Sequence, residues 1–176
     1  MISTVKGIVL REVDVGESDK MLTLLTAEMG QISVYGGGVK RLKSPHFVAC
    51  QLYTYSEFTI YGSRDKYYLR ESVPAESFFG IRDTLEGAAL AAYIAEVACD
   101  ISLEDQPEEK LLRLVLNSFF CIAKKLKPIV QIKAAFELRA AAEAGFMPDL
   151  VGCEGCGKSE LDTYYFDVEG GYFCCE

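Results

Sequence analysis

At 176 residues, half of them apolar, the chain is long enough to bury a core and too apolar to be disordered. Its formal net charge of -8 excludes a uniformly basic nucleic-acid binder, but nine of the 18 basic and nine of the 26 acidic residues fall in positions 1–79, so all the excess negative charge lies beyond them. A neutral front part can still present a local basic patch. The opening "MISTVKGIVLREVDVGE" lacks the basic and then apolar order of a secretory leader, and the longest apolar stretch, "GAALAAYIAEVAC", is short and carries Glu96. A soluble, cytoplasmic chain with reduced thiols and no membrane partner is expected.

In chain order, five runs rich in Val, Ile, Thr, Tyr and Phe predict strands over Val5–Val13, Lys20–Ala27, Gly30–Gly36, Leu52–Gly62 and Lys66–Val73. Turn signals "VGESD", "EMG", "GGG" and "GSRD" punctuate them. Five short strands suggest a small barrel, and the five-stranded barrel that commonly binds oligonucleotides is the OB-fold. After Pro74 the apolar period becomes helical. Helices are predicted over Asp83–Ser102, Pro107–Lys127 and Pro128–Ala144, the last running into Gly145 as a C-cap, and they should pack as an antiparallel bundle. The expected class is α+β, with an OB-type barrel over 1–79, a helical domain over 80–150 and a zinc-ribbon-like module over 151–176.

Four of the seven cysteines crowd into that last module. Cys153 and Cys156 form "CEGCG", whose two-residue spacer and glycines let a tight turn aim both sulfurs at one ion. Cys174 and Cys175 follow a hairpin pattern, "TYYFDVEGGYF", as in a zinc ribbon. Four thiolates would close the shell around a structural Zn2+ and leave no catalytic position. Free thiols, a redox CxxC and iron–sulfur ligation are the alternatives, although no βαβ context supports the redox reading. Adjacent cysteines chelate poorly, so the fourth ligand is either Cys175 or a residue outside this chain. Cys50, Cys99 and Cys121 sit singly in apolar runs and read as core.

The other chemically distinctive stretch is "YGGGVKRLKSPH", Tyr35 to His46. Three glycines free the backbone, and Lys40, Arg41 and Lys43 then concentrate positive charge in a way that suits phosphate. A solvated surface turn is the plain alternative, and the spacing of a nucleotide P-loop is absent. Tyr53, Tyr55 and Tyr61 should share one strand face, opposite Leu52, Phe58 and Ile60, and either stack bases or cover the barrel. His46, the lone histidine, follows a proline and reads as neither ligand nor base. No catalytic constellation is visible, so an enzyme is not expected, and neither is a small-molecule substrate. A zinc-dependent or thiol redox enzyme, or a zinc-ribbon interaction module, remains the rival. Lys124, Lys125 and Lys127 end an apolar helix, with Lys133 and Arg139 following, which offers a dock for an acidic tail or simply helix C-terminal charge.

The stretch from "GIVLREVDVGESDKMLTLLT" through "GGGVKRLKSPHF" to "KYYLRES", with "AAFELRAAAEAGFMPDLVGCEGCG" and "GGYFCCE", closely resembles the RecO family of bacterial DNA repair proteins over nearly the whole chain. The resemblance implies an OB-fold, a helical domain and, in many members, a zinc module. It further implies binding to single- and double-stranded DNA, strand annealing, engagement of the acidic C-terminal tail of single-stranded-DNA-binding protein, and loading of RecA together with RecR, at the nucleoid. Carried over, Lys40, Arg41 and Lys43 match the family's basic loop and Cys153, Cys156 and Cys174 its metal ligands, with Cys175 less clearly matched. The family usually continues beyond the cysteine module, so this chain is expected to stop before its helical part is complete.

Overall fold

A computed structural model describes residues 2–63, 66–104, 106–160 and 162–175. The order is five strands, β1 (Ile2–Val15), β2 (Asp19–Thr26), β3 (Gly30–Gly36), β4 (Thr54–Ser63) and β5 (Lys66–Ser77), then a short 3-10 turn at Phe79–Asp83. Helices α1 (Leu85–Ile101), α2 (Glu109–Ala123) and α3 (Ile129–Glu143) follow, and then short strands β6 (Asp149–Cys153), β7 (Tyr165–Asp167) and β8 (Tyr172–Cys174).

The first five strands close a barrel in the order β1-β2-β3-β5-β4. All its neighbours are antiparallel except β3 and β5, which pair in parallel through Val34 with Tyr67 and Tyr35 with Tyr68. Alternation drives the closure. On β3, Ile32 and Val34 point inward, and on β4 Phe58 and Ile60 do the same, so closing the sheet joins them with Val5, Val9, Leu22 and Leu24 in one core. The strict period breaks in β1, where Ile8, Val9 and Leu10 are all buried and the register with β2 slips between Val9 and Arg11. Ile8 and Leu25, paired across β1 and β2, lie outside the barrel core and are buried on strands that contact α1 and α2.

Thr84 starts α1 by accepting the Gly87 N–H at 3.1 Å. Leu90, Ile94 and Ala98 of α1 and Leu111, Val115, Phe119 and Ile122 of α2 are buried. The segment between these helices is tied back to the barrel, with Gln31 N–H donating to Leu103 O at 3.1 Å and Glu108 N–H to Ala27 O at 2.9 Å. Helix α2 ends in a Schellman motif: Lys125 N–H bonds Ile122 O and Leu126 N–H bonds Cys121 O, with Lys125 at φ 53 where glycine is usual. Gly145, at φ 84, closes α3 in the same way through its own N–H to Ala142 O and Phe146 N–H to Ala141 O.

The chain divides into two compact units, residues 1–136 and 137–176. The first unit holds the barrel, α1, α2 and residues 129–136 of α3. In the second unit β6, β8 and β7 form a three-stranded sheet, and Phe173 packs edge-on against Tyr164 and Phe166. Cys50 is buried as expected, whereas Cys99 and Cys121 are only half-buried. No helix among the described residues is long and apolar enough to cross a membrane.

Candidate functional site

Strand β3 ends at Gly36 and delivers the chain into the glycine loop beside the β1–β2 turn. Asp19, at the start of β2, organises it. One carboxylate oxygen accepts the Gly38 N–H at 2.7 Å and the Ser18 hydroxyl at 3.0 Å, and the other accepts the Tyr35 hydroxyl in a short hydrogen bond. Gly38 sits at φ 69, a left-handed conformation that costs a residue with a side chain far more. The bond from Tyr35, then those from Gly38 and Ser18, hold the Asp19 carboxyl below the usual carboxylate range, and that same Tyr35 hydrogen bond, with burial, raises the Tyr35 phenol. The Lys40 N–H completes the strap by donating to Ser18 O at 3.0 Å.

The three loop cations are not equivalent. The Lys40 ammonium pairs with Asp14 at 2.8 Å, which depresses the Asp14 carboxyl and commits part of the Lys40 charge to a neighbour on the protein. Arg41 and Lys43 are exposed and make no ion pair among the described residues, although Arg41 reaches the Ser18 hydroxyl at 3.5 Å and lies near enough to Asp19 to help lower its carboxyl. Leu42 between them is 84 % exposed, so the tip of the loop stands in water. His46 bonds Ser72 Oγ through Nδ1 at 2.9 Å, consistent with a structural histidine.

The tyrosines sort differently from the strand pattern. Tyr53 precedes β4 at φ 66 and packs edge-on against Phe119 at 5.0 Å, so it does not share a face with Tyr61. Tyr55 does point outward on β4, as Tyr61 does, while Phe58 and Ile60 face the core. The helix-end lysines are scattered in role. Lys124 and Lys127 are exposed, Lys125 pairs with Asp83 at 3.3 Å, and the Lys133 ammonium lies 5.6 Å from the Tyr93 ring centre. Arg139 is exposed and belongs to the second compact unit, whereas these lysines belong to the first.

In the second unit the Sγ atoms of Cys153, Cys156 and Cys175 all lie within 4.8 Å of one another, close enough to hold a metal ion. The Cys156 and Cys175 sulfurs are 3.7 Å apart. Two thiolates about 2.3 Å from a tetrahedral ion are separated by about 3.8 Å, so the spacing and the soft donors both fit zinc. Backbone N–H groups of Cys156 and Cys175 point at Cys153 Sγ and lower its pKa to about 6, so its thiolate is the favoured one, while its hydrogen bond with Cys175 raises that thiol to about 11. Cys174 does not join them. It ends β8, where alternation turns its side chain away from the cluster, and its thiol lies 3.5 Å from Tyr165 O. Of the four expected ligands, Cys174 therefore lies outside the triad and Cys175 within it.

Asp19 as the organiser of the loop escaped the sequence reading. Its signal was the pairing of "ESDK" with "YGGG", which only the β2–β3 register, Lys20 opposite Gly36, brings together.

The sequence model described as "Recombination protein O N terminal" matches residues 1–78, and that described as "Recombination protein O C terminal" matches residues 82–176. A DNA repair protein RecO of Acetivibrio thermocellus is 36% identical over 169 residues, covering 96% of this chain and 67% of that protein. Those of Alkaliphilus metalliredigens and Caldicellulosiruptor saccharolyticus are 30% and 32% identical, covering 99% and 97% of this chain and 71% and 70% of theirs. With both of its halves matched and these relatives aligned along nearly its whole length, the chain belongs to the recombination protein O family.

Proposed function

We propose that this chain is a DNA-binding recombination mediator that pairs strands without covalent chemistry. The observation that carries the reading is the loop tip: Arg41 and Lys43 stand exposed on a backbone fixed by Asp19, next to a closed five-stranded barrel of the OB type. Two complementary strands repel through their phosphates, and a protein that neutralises a few on each lowers the barrier to their meeting. Lys40 contributes less than its neighbours because Asp14 already faces it. Exposed Glu17 in the adjacent turn further weakens the local field, which suits modest affinity with a salt slope of only a few charges.

The family membership extends the proposal to its partners: single- and double-stranded DNA, RecR, and the acidic tail of single-stranded-DNA-binding protein, with RecA loading as the outcome. Exposed Lys124 and Lys127 are the most available cations for such a tail. We read the ion suited to Cys153, Cys156 and Cys175 as structural Zn2+, which would clamp the small second sheet.

The test is an electrophoretic binding assay at low salt. Charge reversal by Arg41→Glu with Lys43→Glu should weaken DNA binding by more than about tenfold, since each change removes a phosphate contact and adds repulsion. Undiminished binding refutes the assignment of the loop.

A further inference from the structure

Tyr35, Tyr68 and Tyr61 occupy one row across three strands. Tyr35 of β3 is paired with Tyr68 of β5, and Tyr68 with Tyr61 of β4. Their rings touch in sequence: Tyr61 and Tyr68 are stacked at 5.3 Å with planes 22° apart, and Tyr68 meets Tyr35 edge-on at 5.8 Å. Tyr61 and Tyr68 remain 47% and 37% exposed. The row does not end with the rings. Met21 is paired with Tyr35 and Ile2 with Tyr61, and both are exposed, so an apolar band runs across the outside of the barrel.

Cations border this band. Lys66 and Arg70 lie two residues either side of Tyr68 on β5 and are exposed, and the loop bearing Arg41 and Lys43 begins two residues after Tyr35, at Gly37. Tyr35 also links the two features mechanically, since its hydroxyl bonds the same Asp19 carboxylate that holds the Gly38 N–H. Cross-strand aromatic pairs support any sheet, but that role requires neither the exposed rings nor the flanking positive charge.

We propose that the Tyr61–Tyr68–Tyr35 row is a base-stacking platform for single-stranded nucleic acid, working with the Arg41 and Lys43 loop as one site. The proposal rests on the nucleic-acid reading given above and adds to it the strand state that the barrel prefers. Aromatic rings gain about 1–3 kcal/mol per base from stacking, and they do so with any sequence because every base has a π face. In a duplex those faces are already covered by neighbouring base pairs. Phosphate contacts at the loop therefore accept either form of DNA, and the tyrosine row selects the unpaired one.

The experiment compares three probes of equal length, oligothymidylate, its abasic counterpart and a duplex, on the full chain and on Tyr61→Leu with Tyr68→Leu. The chain has ten tyrosines and no tryptophan, so tyrosine fluorescence reports stacking directly. The wild type should bind oligothymidylate about tenfold or more tighter than the abasic strand, with tyrosine quenching. The leucine variant should bind both alike, at the abasic level, and Tyr61→Phe with Tyr68→Phe should restore the preference. Equal wild-type affinity for the two single strands overturns the platform, as does a leucine variant that keeps the preference. Loss of the platform would leave the loop reading standing, because abasic binding that falls on Arg41→Glu with Lys43→Glu reports the loop alone.

Discussion

Asp19 holds Gly38: a carboxylate at the start of one strand accepts the backbone N–H of the glycine loop that follows the next, at 2.7 Å. The basic tip is thus positioned by an anion whose own charge is spent on hydrogen bonds from Gly38, Ser18 and Tyr35. A loop ordered before it meets DNA loses less freedom on binding than a floppy one.

Asp19→Ala should loosen the loop and weaken DNA binding severalfold at low salt while leaving the barrel's circular dichroism unchanged. The pH dependence has a definite sign. The Asp19 carboxyl is depressed in the folded chain, so its contribution is fully present above the ordinary carboxylate value and is lost as pH falls through the folded one. Between neutral pH and the acid limb, denaturant unfolding of the wild type should therefore lose more stability than that of Asp19→Asn, which cannot titrate. Identical acid slopes would show that Asp19 gains nothing from its partners.

Metal analysis separates the cysteines. Cys153→Ser, Cys156→Ser and Cys175→Ser should each lower bound zinc and destabilise the second unit, whereas Cys174→Ser should retain the metal, because its sulfur lies by Tyr165 O and not in the triad. Retention of zinc by Cys175→Ser with loss in Cys174→Ser would reverse the assignment.

Gly30 opens β3 at φ 61, and a Cβ there would lie 2.1 Å from Leu103 O. Gly30→Ala should destabilise the first unit by about 1–3 kcal/mol, combining backbone strain with displacement of the segment between α1 and α2. Urea unfolding measures it, and a change below about 0.5 kcal/mol would mean that this junction yields freely.

For the proposed acidic-tail surface, exposed Lys124 and Lys127 are the cations to test. A labelled acidic C-terminal peptide should bind Lys124→Ala with Lys127→Ala more weakly than the wild type, and a change at Lys125 should matter less because Asp83 already engages it. Equal affinity for both proteins in a fluorescence-anisotropy titration removes these lysines from the surface.

Most of the barrel was legible because period-two burial is written directly into β2, β3 and β4, and the turn residues bounded them. The ends of β1 and β5 ran further than the pattern suggested, since exposed residues such as Ile2, Val15 and Ala75 carry no inward and outward contrast to read. The α2 end came early for a similar reason. Lys125 adopts the left-handed cap conformation without being glycine, so the sequence gives no stop signal before Pro128. At the site, residue types were legible and partnerships were not. "KRLK" announces charge, but only the fold shows that Asp14 takes Lys40 and spares Arg41 and Lys43. Likewise four clustered cysteines announce soft donors, while strand alternation at β8 decides that Cys175 and not Cys174 turns toward the two that could share an ion with it.

The most direct measurement is the salt dependence of oligonucleotide affinity for the wild type and for Arg41→Ala with Lys43→Ala. If these two side chains neutralise phosphates, the slope of log K against log salt should fall in magnitude by about 1.4, at about 0.7 per single-strand contact. A variant whose slope and low-salt affinity match those of the wild type would place the phosphate contacts elsewhere and contradict the account.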